Sequence, residues 1–517
     1  MNYKLVIALL LFINFNVNAQ ITEPQLDQLV ESTLKSFDVP GISVAIVKDG
    51  KVIHAKGYGV KSILTNEKVD ANTLFGIASN SKAFTSAALA MLVDVGKLKW
   101  DDKVIQYIPE FKMYNDYVTN EFTIRDLLTH RSGLGLGAGD LMIWPDGSDF
   151  KTQDIINNLQ YLKPVSAFRT KYDYDNLLYI VAGEVIYRAS GKTWCDFIEE
   201  RIMKPLEMNH SAASFVRLKD TTNMIAPHVP TDGKLKIISH YKNQVFDGAA
   251  GIYSSVNDLS KWMIMQLQNG KYGSEKQLQL FSKKEQDEMW SLQTIIPANT
   301  RPPYNTHFSG YGLGWFLSDV KGYKQVSHTG GLEGIVTQVT LFPELNLGIV
   351  VLTNQQSGAA FSAITNTIKD SYLGIPYADY VELYSKREKD NVSKSDKETD
   401  EVWTTVTKNQ KDKLKTDLKK YTGTFKDDWF GTILISEKKG KLYFKSIRSP
   451  KLAGEIFFYK DNTLVVKWNT RSFNADAFLS FELDKNGNMN VLKMKPISEL
   501  TDFSYDFQDL NFIKVAL

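Results

Sequence analysis

At 517 residues the chain is longer than one ordinary core supports, so two or more domains are expected. Hydrophobic residues at 43% and charged residues at 23% describe a soluble globular protein and exclude a disordered or membrane-embedded one. A net charge of +2 argues against a dedicated nucleic-acid binder, and a single cysteine, Cys195, excludes an internal disulfide.

Residues 1–19 have the pattern of a secretory signal peptide. Lys4 supplies the positive charge, residues 5–13 the apolar run, and Val17-Asn18-Ala19 a small-residue cleavage site. The run is far short of the ~20 residues of a spanning helix, and no cysteine follows it to carry a lipid. An uncleaved anchor is the competing reading. The expected mature protein begins near Gln20, works in the periplasm or outside the cell, and has no stable membrane anchor.

Residues 21–37 read as an amphipathic helix through Leu26, Leu29, Val30 and Leu34. Two β-rich runs, 42–47 and 51–57, flank Asp49-Gly50, a strong hairpin signal, so an antiparallel sheet starts early. Within residues 73–94, TLFGIASNSKAFTSAALAMLVD, Ser79 opens a buried-looking helix with Lys82 three positions on, after the apolar Phe75, Ile77 and Ala78. Residues so spaced share a helix face. Burial lowers the proton affinity of an amine, and the helix N-terminus favours developing negative charge. These are the physical requirements of an S-x-x-K nucleophile. The spacing alone is common, since Ser32–Lys35, Ser148–Lys151, Ser318–Lys321 and Ser436–Lys439 share it and read as surface pairs. Only the Ser79 copy opens an apolar helix.

Residues 122–133, FTIRDLLTHRSG, read as a short helix ending at glycine, with Gly133, Gly135, Gly137 and Gly139 alternating through the loop beyond. Their spacing matches no dinucleotide fingerprint, and Gly191-Lys192-Thr193 is no phosphate loop because Ile186 stands where that motif needs glycine. His130 reads as a packing residue in preference to a ligand or proton carrier. Residues 173–188 carry a second apolar helix with Tyr174 and Asn176 at its mouth, while Tyr241 and Asn243 repeat that spacing in polar surroundings. Cys195 reads as a structural thiol. Residues 247–260 lead into a helix that turns Trp262, Met263 and Leu267 inward.

Three β-rich runs between 325 and 354 supply further strands to the sheet begun at Ile42, and His328-Thr329-Gly330-Gly331 ends the first of them. His328 is either a sheet-edge residue or part of a site. Residues 378–416 form a charged, partly helical linker, and the short β runs of residues 417–517 suggest a small antiparallel barrel. The seven histidines lack metal-ligand spacing, so neither a metal nor a cofactor is expected.

Taken in order, Ser79-Asn80-Ser81-Lys82, Tyr174-Asp175-Asn176 and His328-Thr329-Gly330 resemble the motifs of the serine β-lactamase and penicillin-binding-protein superfamily, especially its class C-like serine hydrolase and esterase branch. LLTHRSGL at 127–134, DGAAGIYSS at 247–255, YGLGW at 311–315 and HTGGLEG at 328–334 also resemble phrases of that branch. The resemblance covers about residues 21–377, and the tail is similar to the lipocalin-like barrel appended to some of these hydrolases. It implies an α/β (α+β) fold: an antiparallel sheet flanked by helices with a helical subdomain over 20–377, the linker 378–416, and a barrel over 417–517.

The resemblance also implies roles. Ser79 forms an acyl-enzyme, and Lys82 and Tyr174 share the acid and base work, in an order left open. Asn176 hydrogen-bonds the substrate amide or the lysine. The backbone N–H groups of Ser79 and Gly331 form an oxyanion hole, and His328, Thr329 and Gly330 line the substrate side. One departure matters: His328 stands where the superfamily has lysine, and histidine is largely neutral at pH 7. Recognition of a terminal carboxylate is therefore expected to weaken. Small carboxylic esters, or peptides and amides containing D-residues, become favoured over penicillins. β-Lactamase or D,D-carboxypeptidase activity, and a catalytically silent binding protein, are the alternatives. The implied partner is a small-molecule or peptide substrate, with homo-oligomerisation left open.

Overall fold

Asp49 and Gly50 adopt φ values of 51° and 76°, the left-handed pair that closes a two-residue hairpin in step with strand twist. The turn joins β1 (Gly41–Lys48) to β2 (Lys51–Gly59). In the computed structural model, which describes residues 20–411, 417–485 and 489–515, these strands edge an eight-stranded antiparallel sheet. The others are β3 (Thr294–Ile295), β4 (Ser309–Tyr311), β5 (Phe316–Val320), β6 (Tyr323–Leu332), β7 (Ile335–Phe342) and β8 (Leu347–Thr353). Across the sheet the order is β2-β1-β8-β7-β6-β5-β4-β3. Ile42 pairs with Thr353 between β1 and β8, so segments about 300 residues apart in the chain close the sheet.

Alternation along β1 and β8 separates two apolar cores. Ile42, Val44, Ile46, Ile349 and Val351 face Leu26 and Val30 of α1 (Glu23–Ser36) and Ala360, Ile364 and Ile368 of a late helix (Gly358–Leu373). Ala45, Val47, Val350 and Leu352 face the other way, into the core that holds α2 (Ser81–Asp94), α3 (Leu177–Ser190) and α4 (Val256–Leu267). Both faces of the central strands are dry, which is why they read as unbroken apolar runs. Helix α2 is buried from Ser81 to Leu92, and Phe84 stacks on Trp262 of α4 with ring centroids 3.8 Å apart.

The late helix Gly358–Leu373 is α5, and the stretch expected to be a charged, partly helical connection is one continuous helix, α6 (Tyr380–Lys411). Its Val402 and Val406 pack on Val465 of the C-terminal unit. That unit is a closed eight-stranded barrel whose first strand, Gly423–Asp427, pairs with its last, Phe512–Val515. The barrel sits directly on the unit built around the eight-stranded sheet: Arg448 pairs with Asp149 at 2.7 Å and Asp154 at 2.8 Å, and Asn158 Nδ2 donates to the Trp429 carbonyl at 2.8 Å.

Two expectations are corrected. The helix expected over 122–133 is a single turn, Ile124–Leu127, because the chain turns left-handed at His130 with φ of 51°. The strand expected to end at His328-Thr329-Gly330-Gly331 runs one residue further, to Leu332, which pairs with Ile335 of β7. The expected signal peptide lies outside the described residues. Among those described, no helix is long and apolar enough to cross a membrane.

Alanine at Gly50 would hold a side chain in the left-handed region with its Cβ 2.9 Å from Gln268 Nε2. Gly50→Ala is expected to lose roughly 1–2 kcal/mol of stability, read as a lower urea midpoint with unchanged activity.

Candidate active site

Ser79 lies in a 3-10 turn, Ala78–Asn80, that runs straight into α2. Ala78 before it has φ of 51°, the kind of strained backbone that functional sites retain when the surroundings enforce it. The enforcement comes from the sheet. A Cβ at Gly330 would run into the Ile77 carbonyl oxygen, so β6 can lie this close only as glycine. Thr337 of β7 donates to the same Ile77 carbonyl at 2.9 Å and accepts from Asn80 Nδ2 at 2.9 Å. Strand β5 pairs with β6 only as far as Ser327. The next residues therefore leave one edge of β6 without a strand partner, beside the turn that carries Ser79. Thr329 and Gly331 are exposed there, and a Cβ at Gly331 would meet nothing within 4 Å.

Lys82 is fully buried. Its Nζ lies 3.1 Å from Ser79 Oγ, 2.7 Å from Asn176 Oδ1 and 3.2 Å from the Ala249 carbonyl oxygen. A carbonyl can only accept. The Asn176 amide is held the same way round, because its Nδ2 donates to Asp140 Oδ2 at 2.7 Å and Oδ1 must then face the amine. In a neutral amine both N–H bonds are thereby used, and the lone pair is left for the Ser79 hydroxyl. Burial holds Lys82 down to about 7, with Asp140 and Asp175 opposing.

Burial keeps the Tyr174 phenol protonated far above the usual value, with the nearby Ser79 hydroxyl opposing. The Tyr174 ring is packed by His130, 4.2 Å between centroids. His130 Nδ1 accepts the Asp175 N–H at 3.1 Å, and burial pushes the imidazole well below its ordinary range. The histidine thus braces the Tyr174-Asp175-Asn176 corner as a neutral ring. His328 is also buried, 1% exposed. Its Nδ1 donates to the Thr329 carbonyl at 2.6 Å, so Nε2 accepts from the Tyr311 hydroxyl at 2.8 Å. Burial first, and Lys82 second, hold it down to about 3. Both nitrogens are engaged inside the protein and the ring carries no charge.

Ser79, Lys82, Tyr174, Asn176 and the 328–331 strand edge therefore come together. Tyr241 does not join them: it is buried against Trp144, centroids 5.0 Å apart, and donates to the Ile143 carbonyl. Cys195 lies beside Asp247, and burial followed by that carboxyl pushes its thiol well up, which makes it inert. Among the described residues no group of three His, Cys, Asp or Glu could hold a metal. Sequence reasoning missed Asp140, which orients Asn176, and Tyr311, which sat in the YGLGW phrase without a role. No spacing rule flags either.

Sheet, helices and the turn that carries Ser79 and Lys82 together define a β-lactamase-like fold. The chain belongs to the β-lactamase family, whose family model, described as Beta-lactamase, matches residues 26–373. A domain of unknown function matches residues 407–514. An unguisins hydrolase of Aspergillus campestris is 30% identical over 362 residues, 67% of this chain and 65% of that protein. The protein flp of Staphylococcus aureus is 29% identical over 341 residues, 65% of this chain and 64% of its own. The match thus spans about two-thirds of the length of these relatives. An octameric penicillin-binding protein homologue from Pyrococcus abyssi superimposes with a TM-score of 0.60 at 21% identity, covering 96% of this chain and 100% of that one. A class C β-lactamase gives 0.55 at 20% identity over 68% of this chain and 96% of its own. These likenesses are of fold.

A buried lysine near 7 must lose its proton to serve as a base, so reaction of Ser79 with a fluorophosphonate is expected to slow as pH falls below about 7. Lys82→Arg, which stays charged, is expected to lose ~10²–10⁴ in that rate. Intact-mass measurement of phosphonylation against pH checks both.

Proposed function

We propose that the protein is a secreted serine hydrolase that works through an acyl-enzyme on small carboxylic esters or on peptides and amides containing D-amino acids. The observation that carries this reading is the Lys82 amine, whose N–H bonds go to Asn176 and Ala249 while Ser79 lies 3.1 Å away. Ser79 Oγ attacks the substrate carbonyl carbon as Lys82 takes its proton. The backbone N–H groups of Ser79 and Gly331 receive the developing oxyanion, worth ~10²–10³ in rate per donor. Tyr174 passes a proton to the leaving group, and water then releases the acyl group with proton transfer back through Tyr174 and Lys82. Asn176 holds the lysine, and Thr329 and Gly330 line the strand edge along which substrate lies.

The substrate class rests on His328. A neutral, fully engaged imidazole offers no cation for a terminal carboxylate, and that disfavours penicillin-type substrates. Penicillin turnover remains the second reading because class C β-lactamases share the fold. The reading divides the chain into a signal peptide (1–19), a hydrolase domain (20–377), a linker (378–416) and a barrel domain (417–517), with function outside the cytoplasm.

Nitrophenyl esters, D-aminoacyl anilides and penicillins should be offered to wild type and Ser79→Ala and followed by intact mass and turnover. An acyl adduct is expected on wild type from the first two groups and none on Ser79→Ala. Penicillin turnover equal to the best ester rate would overturn the substrate assignment. EDTA is expected to leave the rate unchanged, and loss of activity restored by zinc would refute the metal-free mechanism.

A further inference from the structure

The barrel reaches the corner that orients the lysine. Between its last two strands, Met489–Pro496 and Phe512–Val515, the chain crosses onto the glycine-rich loop that follows His130. Phe503 occupies the space beside Gly137, where a Cβ would stand 2.8 Å from its ring, and meets Tyr174 edge-on with centroids 5.9 Å apart. Asp506 accepts the Gly139 N–H at 2.6 Å and the Leu141 N–H at 3.0 Å. That clamps the backbone on both sides of Asp140. Ser504 Oγ then donates to Asp140 Oδ2 at 2.9 Å, the same oxygen that receives Asn176 Nδ2. Ser504, Asp140 and Asp506 are all buried.

This chain of contacts decides which end of an amide faces the amine. Were Asn176 turned over, its NH2 would point at Lys82 and either repel the ammonium or occupy the lone pair needed by Ser79. An acceptor at Asp140 Oδ2 permits one orientation only, and Ser504 with Asp506 keeps that acceptor in place. We propose that Ser504 is a positioning residue for Lys82, supplied by the barrel and acting through Asp140 and Asn176, so that the hydrolase site is complete only with this barrel connection seated on it. The inference rests on the proposed hydrolase reading, in which Lys82 is the base.

The electrostatic surroundings fix the sign of the expected effect. Lys82 faces Asp140 from the loop, Asp175, Tyr174 and Tyr179 from the start of α3, and the neutral rings of His130 and of His328 on β6. Asp140 faces Asn176, Ser504, Asp175 and Lys82, with Asp506 also close. Burial pushes Asp140 up to about 8 while the donors from Asn176 and Ser504 oppose. Losing the Ser504 hydroxyl releases Asp140 Oδ2 from the position in which it receives Asn176 Nδ2. An overturned Asn176 amide turns its NH2 toward Lys82 and disfavours the ammonium, which lowers the pH at which the amine becomes neutral.

The test uses the full chain and the pH dependence of Ser79 phosphonylation by a fluorophosphonate, which needs no knowledge of the natural substrate. Ser504→Ala is expected to react about tenfold more slowly at its plateau, with the acid limb moved about half a pH unit lower. Ser504→Thr, which keeps the hydroxyl, is expected to restore the limb, whereas Ser504→Val, of equal size, is not. Combined with Asp140→Ala, loss of Ser504 should add nothing further. An unmoved limb, a limb moved upward, equal behaviour of Thr and Val, or additive loss with Asp140→Ala each overturns the proposal while labelled wild type leaves the hydrolase reading standing. Wild type that resists labelling overturns both.

Discussion

Everything in the corner around Ser79 depends on an amine denied water. An exposed lysine is a hydrated cation and no base at neutral pH. Enclosed by Tyr174, Tyr179 and the start of α2, Lys82 loses that hydration and its proton becomes easy to remove. Burial alone would leave a polar group without partners, which is costly. The fold meets this with two acceptors, Asn176 Oδ1 and the Ala249 carbonyl, and leaves the third direction to Ser79.

That enclosure requires the sheet and the helices to meet at close range. Gly330 lets β6 lie against the Ile77 carbonyl, and Thr337 ties the same carbonyl to β7 while holding Asn80. The turn that carries Ser79 is therefore fixed by strands rather than by its own helix, and the positive φ of Ala78 is tolerated because of it. On the far side His130, the packing histidine of the loop, presses its ring on Tyr174 and takes the Asp175 amide proton. A structural residue here positions two catalytic candidates at once. His328 behaves likewise: with Nδ1 on the Thr329 carbonyl and Nε2 on Tyr311, it locks the strand edge in a neutral state.

The barrel changes how the molecule is to be understood. The connection after Pro496 places an aromatic ring on Tyr174 and hydrogen-bonding side chains on either side of Asp140. Helix α6 gives the barrel its bearing by packing Val402 and Val406 on Val465. The charged segment that reads in sequence as a partly helical linker is one continuous helix over Tyr380–Lys411, buried along one narrow stripe.

What the sequence determined by itself is what depends on near neighbours. The Asp49-Gly50 hairpin follows from the left-handed preference of those two residues, and the facing of Ser79 and Lys82 from the three-residue spacing on a helical start. The apolar runs of β1, β7 and β8 and the texture of the barrel were visible for the same reason, as were the three motifs in their order. Tertiary structure alone decided the rest. Asp140 and Ser504 lie far apart in the chain and meet through a loop and a barrel connection, neither of which has a period to betray it. The orientation of the Asn176 amide and the tautomer of His328 likewise depend on partners that only packing supplies. Local propensity fixes which residues share a face; which buried donor finds which acceptor is settled only when distant segments close upon each other and exclude water.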